Sequence, residues 1–260
     1  MMPAVDWISW LKDRADRLPD QPHDALWLEK YGVRVGSIEA SLAERLVGAG
    51  LPLHPSPAGW HVTGPADSSL AALAHWLNSQ GLGGCWREEL LAVTDEADQP
   101  VATIERAAVR PLGVTTHAVH LVGRTPTGGV WVQQRALDKA TDPGLWDTTM
   151  GGLRTATETV HHTLVRETWE EAGLHLPELH SVLPRGRLTV RRPIDEMGYV
   201  VEDIDVFEAL APGGLVPVNQ DGEVACFECV DTATLRQWLR QERFTLEAAL
   251  VLLRCIPALG

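Results

Sequence analysis

Cysteine, basic charge and long apolar runs are all scarce in this chain of 260 residues. The four cysteines (Cys85, Cys226, Cys229, Cys255) are too few and too scattered for a disulfide framework. Cys226 and Cys229 do have C-x-x-C spacing. Their segment, EVACFECV, reads as a strand, where an offset of three sends two thiols to opposite faces, and no second pair completes a zinc site. Lys and Arg number 22 against 35 Asp and Glu, a formal net charge of −13. That balance argues against a nucleic-acid or anionic-membrane partner, since either needs a basic surface. The apolar stretch AALVLL near the C-terminus is far too short to span a bilayer. The N-terminus lacks the basic start and apolar run of a signal peptide, so a cytoplasmic location is expected. Trp7, Trp10, Leu11 and Leu18 suit an amphipathic helix there. The acidity creates one difficulty. An anionic substrate would need something positive in its site, and a bound divalent cation is the simplest candidate.

Internal repeats and low-complexity segments are absent, but the pattern changes near residue 112. Before it, SIEASLAERLVGAG reads as a helix capped by Ser37 and ended at Gly48 or Gly50, and SSLAALAHWLNSQGLGG as one opened by Ser68 or Ser69 and closed at Gly81. YGVRVG and GWHVTG are strand-like, and the tryptophans of this half read as core and interface anchors. After AAVRPLGV come THAVHLVGR, GGVWVQQR, GRLTVRR, YVVEDIDVFEAL and EVACFECV, short apolar or alternating runs bounded by Gly and Pro. One long helix is predicted over 158–172 and another at DTATLRQWLRQE. Strands around a central helix point to an α+β protein built as an α/β/α sandwich with a mixed sheet. The expected division is an accessory α+β domain over 1–112 and a second domain over 113–260.

The chemistry concentrates in GGLRTATETVHHTLVRETWEEAG, residues 151–173. At about 100° per residue, Glu170 falls about 60° to one side of Glu167 and Glu171 about 40° to the other. Val165, Thr168, Trp169 and Ala172 lie on the side suited to packing on a sheet, so the three glutamates are expected to cluster opposite the buried stripe. Charge clustering alone leaves two readings open. In water two charges 4 Å apart repel by about 1 kcal/mol and the face could simply be solvated; partly buried, the pair costs about 4 kcal/mol and calls for a cation. Hard oxygen ligands select magnesium or manganese over zinc. Gly151 and Gly152 allow close backbone approach, and a peptide carbonyl there can supply another oxygen ligand.

Gly152, Glu158 and the string Arg166-Glu167-Thr168-Trp169-Glu170-Glu171-Ala172-Gly173-Leu174 stand at fixed spacing. This pattern resembles the Nudix box. It departs at one position, Thr168, where the family prefers an aliphatic residue. The resemblance implies that Glu167, Glu170 and Glu171, with the Gly152 carbonyl, ligate Mg2+ or Mn2+. It implies also that Arg166 orients a glutamate, that Glu158 supports the site, and that the reaction hydrolyses a diphosphate linked to another moiety. A late carboxylate often supplements the box, and Glu223 in NQDGEV is the candidate. The segment VWVQQRALDKATDPGLWDTTMGGL, with the sequence upstream of it, resembles Nudix proteins related to fungal thiamine pyrophosphokinase fusions. That branch implies thiamine diphosphate or its oxidised analogues as substrate, with Arg135 and Lys139 as phosphate contacts and Trp146 and Tyr199 near the heterocycle. The alternatives are an ADP-sugar or dinucleotide pyrophosphatase and a non-catalytic ligand-sensing module. Isopentenyl diphosphate isomerase ranks lower, because it uses a cysteine before the box glycine where this chain has Met150. A homodimer is a further possibility.

Overall fold

Apolar residues on both parities of THAVHLVGR call for a strand buried on its two faces, and that strand is the centre of the molecule. In the computed structural model, which describes residues 7–194 and 198–259, the first half contains α1 (Trp7–Ala15), β1 (His23–Leu28), β2 (Val33–Glu39), α2 (Ala40–Gly48), β3 (Leu53–Ser56), β4 (Gly59–Val62), α3 (Ala66–Ser79), β5 (Leu90–Thr94) and β6 (Pro100–Glu105). The second half contains β7 (Thr115–Arg124), β8 (Val130–Arg135), β9 (Trp146–Asp147), β10 (Met150–Leu153), α4 (Val160–Ala172), β11 (His180–Ile194), β12 (Gly198–Leu210), β13 (Val224–Val230), α5 (Thr232–Arg240) and α6 (Leu246–Cys255). The first six residues of the expected N-terminal helix lie outside the described residues.

The second half is a mixed sheet in the order β11-β12-β7-β8-β13, with β10 added to β7 and β9 to β8. Only β12 and β7 run parallel among these pairs. Along β7, Ala118 and Val122 pack into a core shared with α5 and α6, whereas Val119 and Leu121 pack with Leu164 of α4 on the other face. The architecture is therefore an α/β/α sandwich of the α+β class. Among the described residues, no helix is long and apolar enough to cross a membrane.

The first half builds a separate core around a sheet of order β2-β1-β4-β3, the hairpin β5-β6, and helices α2 and α3. Its helices start differently from the sequence reading. Ser37 lies within β2 and accepts or donates a hydrogen bond with His23, so α2 begins at Ala40 without a side-chain cap. Helix α3 begins at Ala66 after Pro65, and the Ser69 hydroxyl donates instead to the Thr63 carbonyl. Helix α1 packs away from this core: its Leu11 and Ala15 join the core of α6 and the large sheet.

The two cores meet without a loose tether. Ser37 N donates to the Leu112 carbonyl at 3.1 Å, and a Cβ on Gly36 would lie 2.3 Å from that oxygen. Gly113, at φ +50°, is equally tight against the Ser37 carbonyl. Gly36→Ala should therefore force β2 and the 112–113 segment apart and cost about 1–3 kcal/mol, the usual penalty of overpacking. Urea unfolding of the variant tests this, and stability within 0.5 kcal/mol of the parent, about the effect of an ordinary surface substitution, would show that the contact is not tight.

Candidate active site

Helix α4 owes its position to both ends. Thr159 caps it by accepting a hydrogen bond from His162 N, and Gly173 ends it in the left-handed region at φ 62°. A Cβ at Gly173 would lie 2.5 Å from the Val218 carbonyl, so the following loop closes directly on the helix end. That loop donates from Val218 N to Ala172 O and from Gln220 N to Glu170 O, and it leads to Glu223.

The buried face of α4 differs from the one expected. Thr163, Leu164, Glu167, Thr168, Glu171 and Ala172 are buried, while Val165 and Trp169 are exposed. At about 100° per residue, Glu171 lies near the middle of the buried arc, Glu167 within it and Glu170 at its edge. A helical wheel places carboxylates toward water by default; here the sheet covers them. Trp169 stacks on His175 at 4.5 Å on the solvent side. Thr168 is fully buried and returns its hydroxyl to the Leu164 carbonyl at 2.6 Å, so its polar atom is satisfied within the helix.

The glycine pair is part of strand β10, not a loop. Gly151 N and the Gln133 side-chain amide both donate to Glu171 Oε2, at 2.9 and 2.8 Å. A Cβ on Gly152 would sit 2.0 Å from the Glu167 carboxyl carbon, so only glycine fits beside that side chain. Arg166 holds the remaining acids. It donates twice to Glu158, at 2.5 and 2.8 Å, and once each to Glu167 (2.8 Å), Glu170 (2.9 Å) and the Leu153 carbonyl (3.1 Å). These bonds keep the Glu158 carboxyl at a pKa of about 2. Burial has the opposite effect inside the cage. It pushes Glu167 up to about 7 against the pull of Arg166, and Glu171, which also feels the Glu167 charge, up to about 8.

Two buried carboxylates with raised pKa values are costly unless something positive joins them. The Gln133 Oε1 atom beside them is also buried without a partner among the described residues. The side-chain donors of Glu167 and Glu171 are all oxygen, which suits Mg2+ or Mn2+.

Glu167, Glu171, Gly151 and Gly152 line one cavity of about 250 Å³, together with Arg135, Lys139, Tyr199 and Glu223. Glu170 does not line it. Lys139 is ion-paired with Glu223, and its charge outweighs burial to hold that carboxyl below its ordinary pKa. Arg135 directs its donors to the Thr141 and Asp142 carbonyls and to Asp147, which fixes the neighbouring loop. The Tyr199 hydroxyl is taken by the Arg17 carbonyl at 2.7 Å, leaving only its ring to the cavity. Trp146 is misplaced by the sequence reading: it is 3% exposed, packs in a tilted arrangement against Trp238 with ring centroids 4.7 Å apart, and belongs to the core. Neighbours on a strand point to opposite sides, and it is Asp147 that faces the cavity. Asp147 and His120, which face each other at 3.7 Å, were both missed, although an acid four residues before Gly151 was a legible signal.

Elsewhere, Asp98, His117 and Asp203 bring ligand-type atoms within 4.8 Å of one another. Arg187 already occupies that acidic cluster, pairing with Asp98 and with Asp205 and lying 3.9 Å from Asp203.

The sequence profile of the NUDIX domain matches residues 114–250, more than half of the chain. The chain belongs to the NUDIX family. It is 29% identical over 198 residues to Nudix hydrolase 24, chloroplastic, of Arabidopsis thaliana, covering 72% of this chain and 54% of that protein. It is 28% identical over 177 residues to an isopentenyl-diphosphate Delta-isomerase of Agromyces mediolanus, covering 66% and 82%. The chain spans about half the length of the first curated relatives it matches. A solved protein of Deinococcus radiodurans, 22% identical, superposes with a TM-score of 0.51 over 63% of this chain and 97% of its own, which supports the fold.

The electrostatics of the NUDIX cage fix how stability depends on pH. Glu167 and Glu171 ionise near 4.5 when unfolded but only near 7 and 8 when folded, so the folded state binds more protons between pH 4.5 and 8. Stability of the metal-free protein should then be greatest near or below pH 4.5 for these two groups and fall by a few kcal/mol as pH rises to 8. Protons compete with metal for the same oxygens, so Mg2+ should raise Tm more at pH 8 than at pH 5.5. Thermal melts with EDTA or excess Mg2+ at both values check this; an Mg2+ shift that is equal at both would contradict it.

Proposed function

We propose that this chain is a divalent-metal-dependent pyrophosphohydrolase whose substrate is a diphosphate joined to a small organic group. The observation that carries the reading is the meeting, in one cavity, of buried Glu167 and Glu171 with the cations Lys139 and Arg135. A solvated acidic face would put neither carboxylate in a cavity nor raise its pKa. In this reading Glu167, Glu170, Glu171 and the Gly152 carbonyl hold the metal, with Glu170 turning inward from the edge of the helix. When bound, divalent ions supply Lewis acidity to the phosphoryl oxygens.

The chain's own groups do the rest. Arg166 fixes the directions of three carboxylates, and Gly151 N and Gln133 fix Glu171. Lys139 binds a phosphate oxygen and, through its ion pair, keeps Glu223 ionised, so that Glu223 can accept a proton from the attacking water. The NUDIX match begins at residue 114, and the segment over 1–112 serves as an accessory domain that closes one wall of the pocket; Arg87, Arg106 and Arg110 line it from that side.

Among substrates we favour thiamine diphosphate and its oxidised analogues, hydrolysed to the monophosphate. The acidic surface does not repel a cationic heterocycle, and the segments around the box support that branch. Glu170→Gln should lower kcat by about 100-fold or more, about 3 kcal/mol of transition-state stabilisation, with little change in Tm. Wild-type rates for this variant at saturating Mg2+ would remove Glu170 from the metal cage. Chromatographic quantification of the monophosphate products from thiamine, oxythiamine and oxothiamine diphosphates, ADP-ribose, NADH and isopentenyl diphosphate ranks the substrates, since the internal diphosphates of ADP-ribose and NADH yield two monophosphate esters and no free phosphate. A tenfold higher kcat/KM for ADP-ribose or NADH would overturn the thiamine reading and leave the hydrolase reading standing.

A further inference from the structure

Six cationic side chains line the cavity, and four have carboxylate partners: Arg106 with Glu89 at 2.8 Å, Arg135 with Asp147 at 3.4 Å, Lys139 with Glu223, and Arg192 with Glu247 at 3.2 Å. Arg87 is exposed at the rim, where water solvates it. Arg110 is different. It is half-buried, and among the described residues its guanidinium has neither an ion pair nor a hydrogen bond. Burial accordingly holds its pKa below the ordinary arginine value. Guanidinium groups taken from water without a partner are unfavourable, and a planar five-donor fork is the group best suited to a planar acceptor.

The backbone of Arg110 is held firmly. Its carbonyl accepts from Tyr199 N at 3.0 Å and from Gly113 N at 3.1 Å. Gly198, at φ +105°, packs so close that a Cβ would lie 2.4 Å from the same oxygen. This locks the segment ahead of the NUDIX domain to the start of β12, four residues before Glu202. Glu202 also lines the cavity. Thr116, its register partner on β7, donates to one carboxyl oxygen at 3.2 Å, and the other oxygen has no partner among the described residues. Burial and the nearby Glu247 charge push the Glu202 pKa up to about 7, so near neutral pH this carboxyl can donate or accept.

The strand register sets these two groups apart from the cage: Glu202 of β12 pairs with Thr116 of β7, whereas Gly152 and Gly151, beside the cage, pair on β10 with Val119 and His120 further along β7. A substrate with its diphosphate at the glutamate cage therefore extends its organic half toward Arg110 and Glu202.

We propose that Arg110 and Glu202 select the organic half of the substrate by hydrogen bonding, and that this half is a polar group with adjoining acceptor and donor atoms, such as an amino-substituted heterocycle. The proposal rests on the pyrophosphohydrolase reading for the placement of the diphosphate. A hydrocarbon tail would leave the Arg110 guanidinium and the second Glu202 oxygen desolvated and unpaired, and sites built to hydrogen-bond a ligand reject analogues that lack the matching atoms far more strongly than apolar pockets reject a missing methylene. The accessory segment thus contributes specificity and not only a wall.

The test is calorimetric binding of thiamine monophosphate, adenosine monophosphate and isopentenyl monophosphate to the full chain with Mg2+. At least one ring-bearing monophosphate should bind tenfold or more tightly than isopentenyl monophosphate. Arg110→Gln and Glu202→Gln should each cut that ratio to threefold or less, with Arg110→Lys in between. Equal binding of all three ligands by the parent, no binding of any, or variants that weaken all three equally would overturn the proposal. Should Arg110→Gln fail to fold, the near-isosteric Glu202→Gln decides by the same ratio. These ligands carry no diphosphate to cleave. A parent that hydrolyses no diphosphate would sink the hydrolase reading, while the binding ratio still decides this one.

Discussion

The enforced burial of Glu167 and Glu171 between α4 and β10 is the constraint on which the rest of the site depends. Helix α4 must pack on the sheet to cover Leu121, Met150 and Leu164, and the same rotation that buries Leu164 and Ala172 brings both carboxylates inside. Each neighbouring feature follows from that placement. Gly152 is needed because the Glu167 carboxyl occupies the space of a side chain, and Gly151 N and Gln133 point at Glu171 because a buried carboxylate requires donors. Among the described residues, Arg166 supplies the only full positive charge bonded to the cage, and its second pair of bonds anchors it on Glu158. The raised pKa values of Glu167 and Glu171 reflect charge left uncompensated by burial, and in the proposed reading a bound cation relieves it.

On the proposed reading, an acidic protein takes an acidic substrate because its charge is distributed unevenly. The acids of the cage and the cations Lys139, Arg135, Arg106 and Arg110 face a single cavity. The surface as a whole carries a net −13, so attraction must be local, arising inside a cavity where water screens less. The first half of the chain takes part in that locality. Its close contacts through Gly36, Gly113 and Gly198 fix Arg110 relative to β12 to within the tolerance of a hydrogen bond. The Arg187 clasp on Asp98 joins the β5-β6 hairpin to β11 and β12 at a second point.

What the sequence by itself determined were features encoded by local spacing. The strand at THAVHLVGR, the existence of a helix over about 158–172, and the grouping of Glu167, Glu170 and Glu171 all follow from periodicities of two or about 3.6 residues, while the Thr159 cap that starts the helix at Val160 emerged only in the structure. The string of box residues identified the family for the same reason, since its spacing is that of a single strand-loop-helix unit. Tertiary structure decided which way those elements faced. Whether the glutamate side of α4 met water or the sheet, whether Trp146 or Asp147 turned to the cavity, and whether Ser37 capped a helix or lay in a strand each depended on a partner distant in sequence. Arg110 and Glu202 are 92 positions apart and belong to no local pattern; they became neighbours in function only when Gly198 and Tyr199 docked on the Arg110 carbonyl. Local periodicity fixes an element and its possible faces, while the choice among those faces is made by burial against segments that the local sequence does not contain.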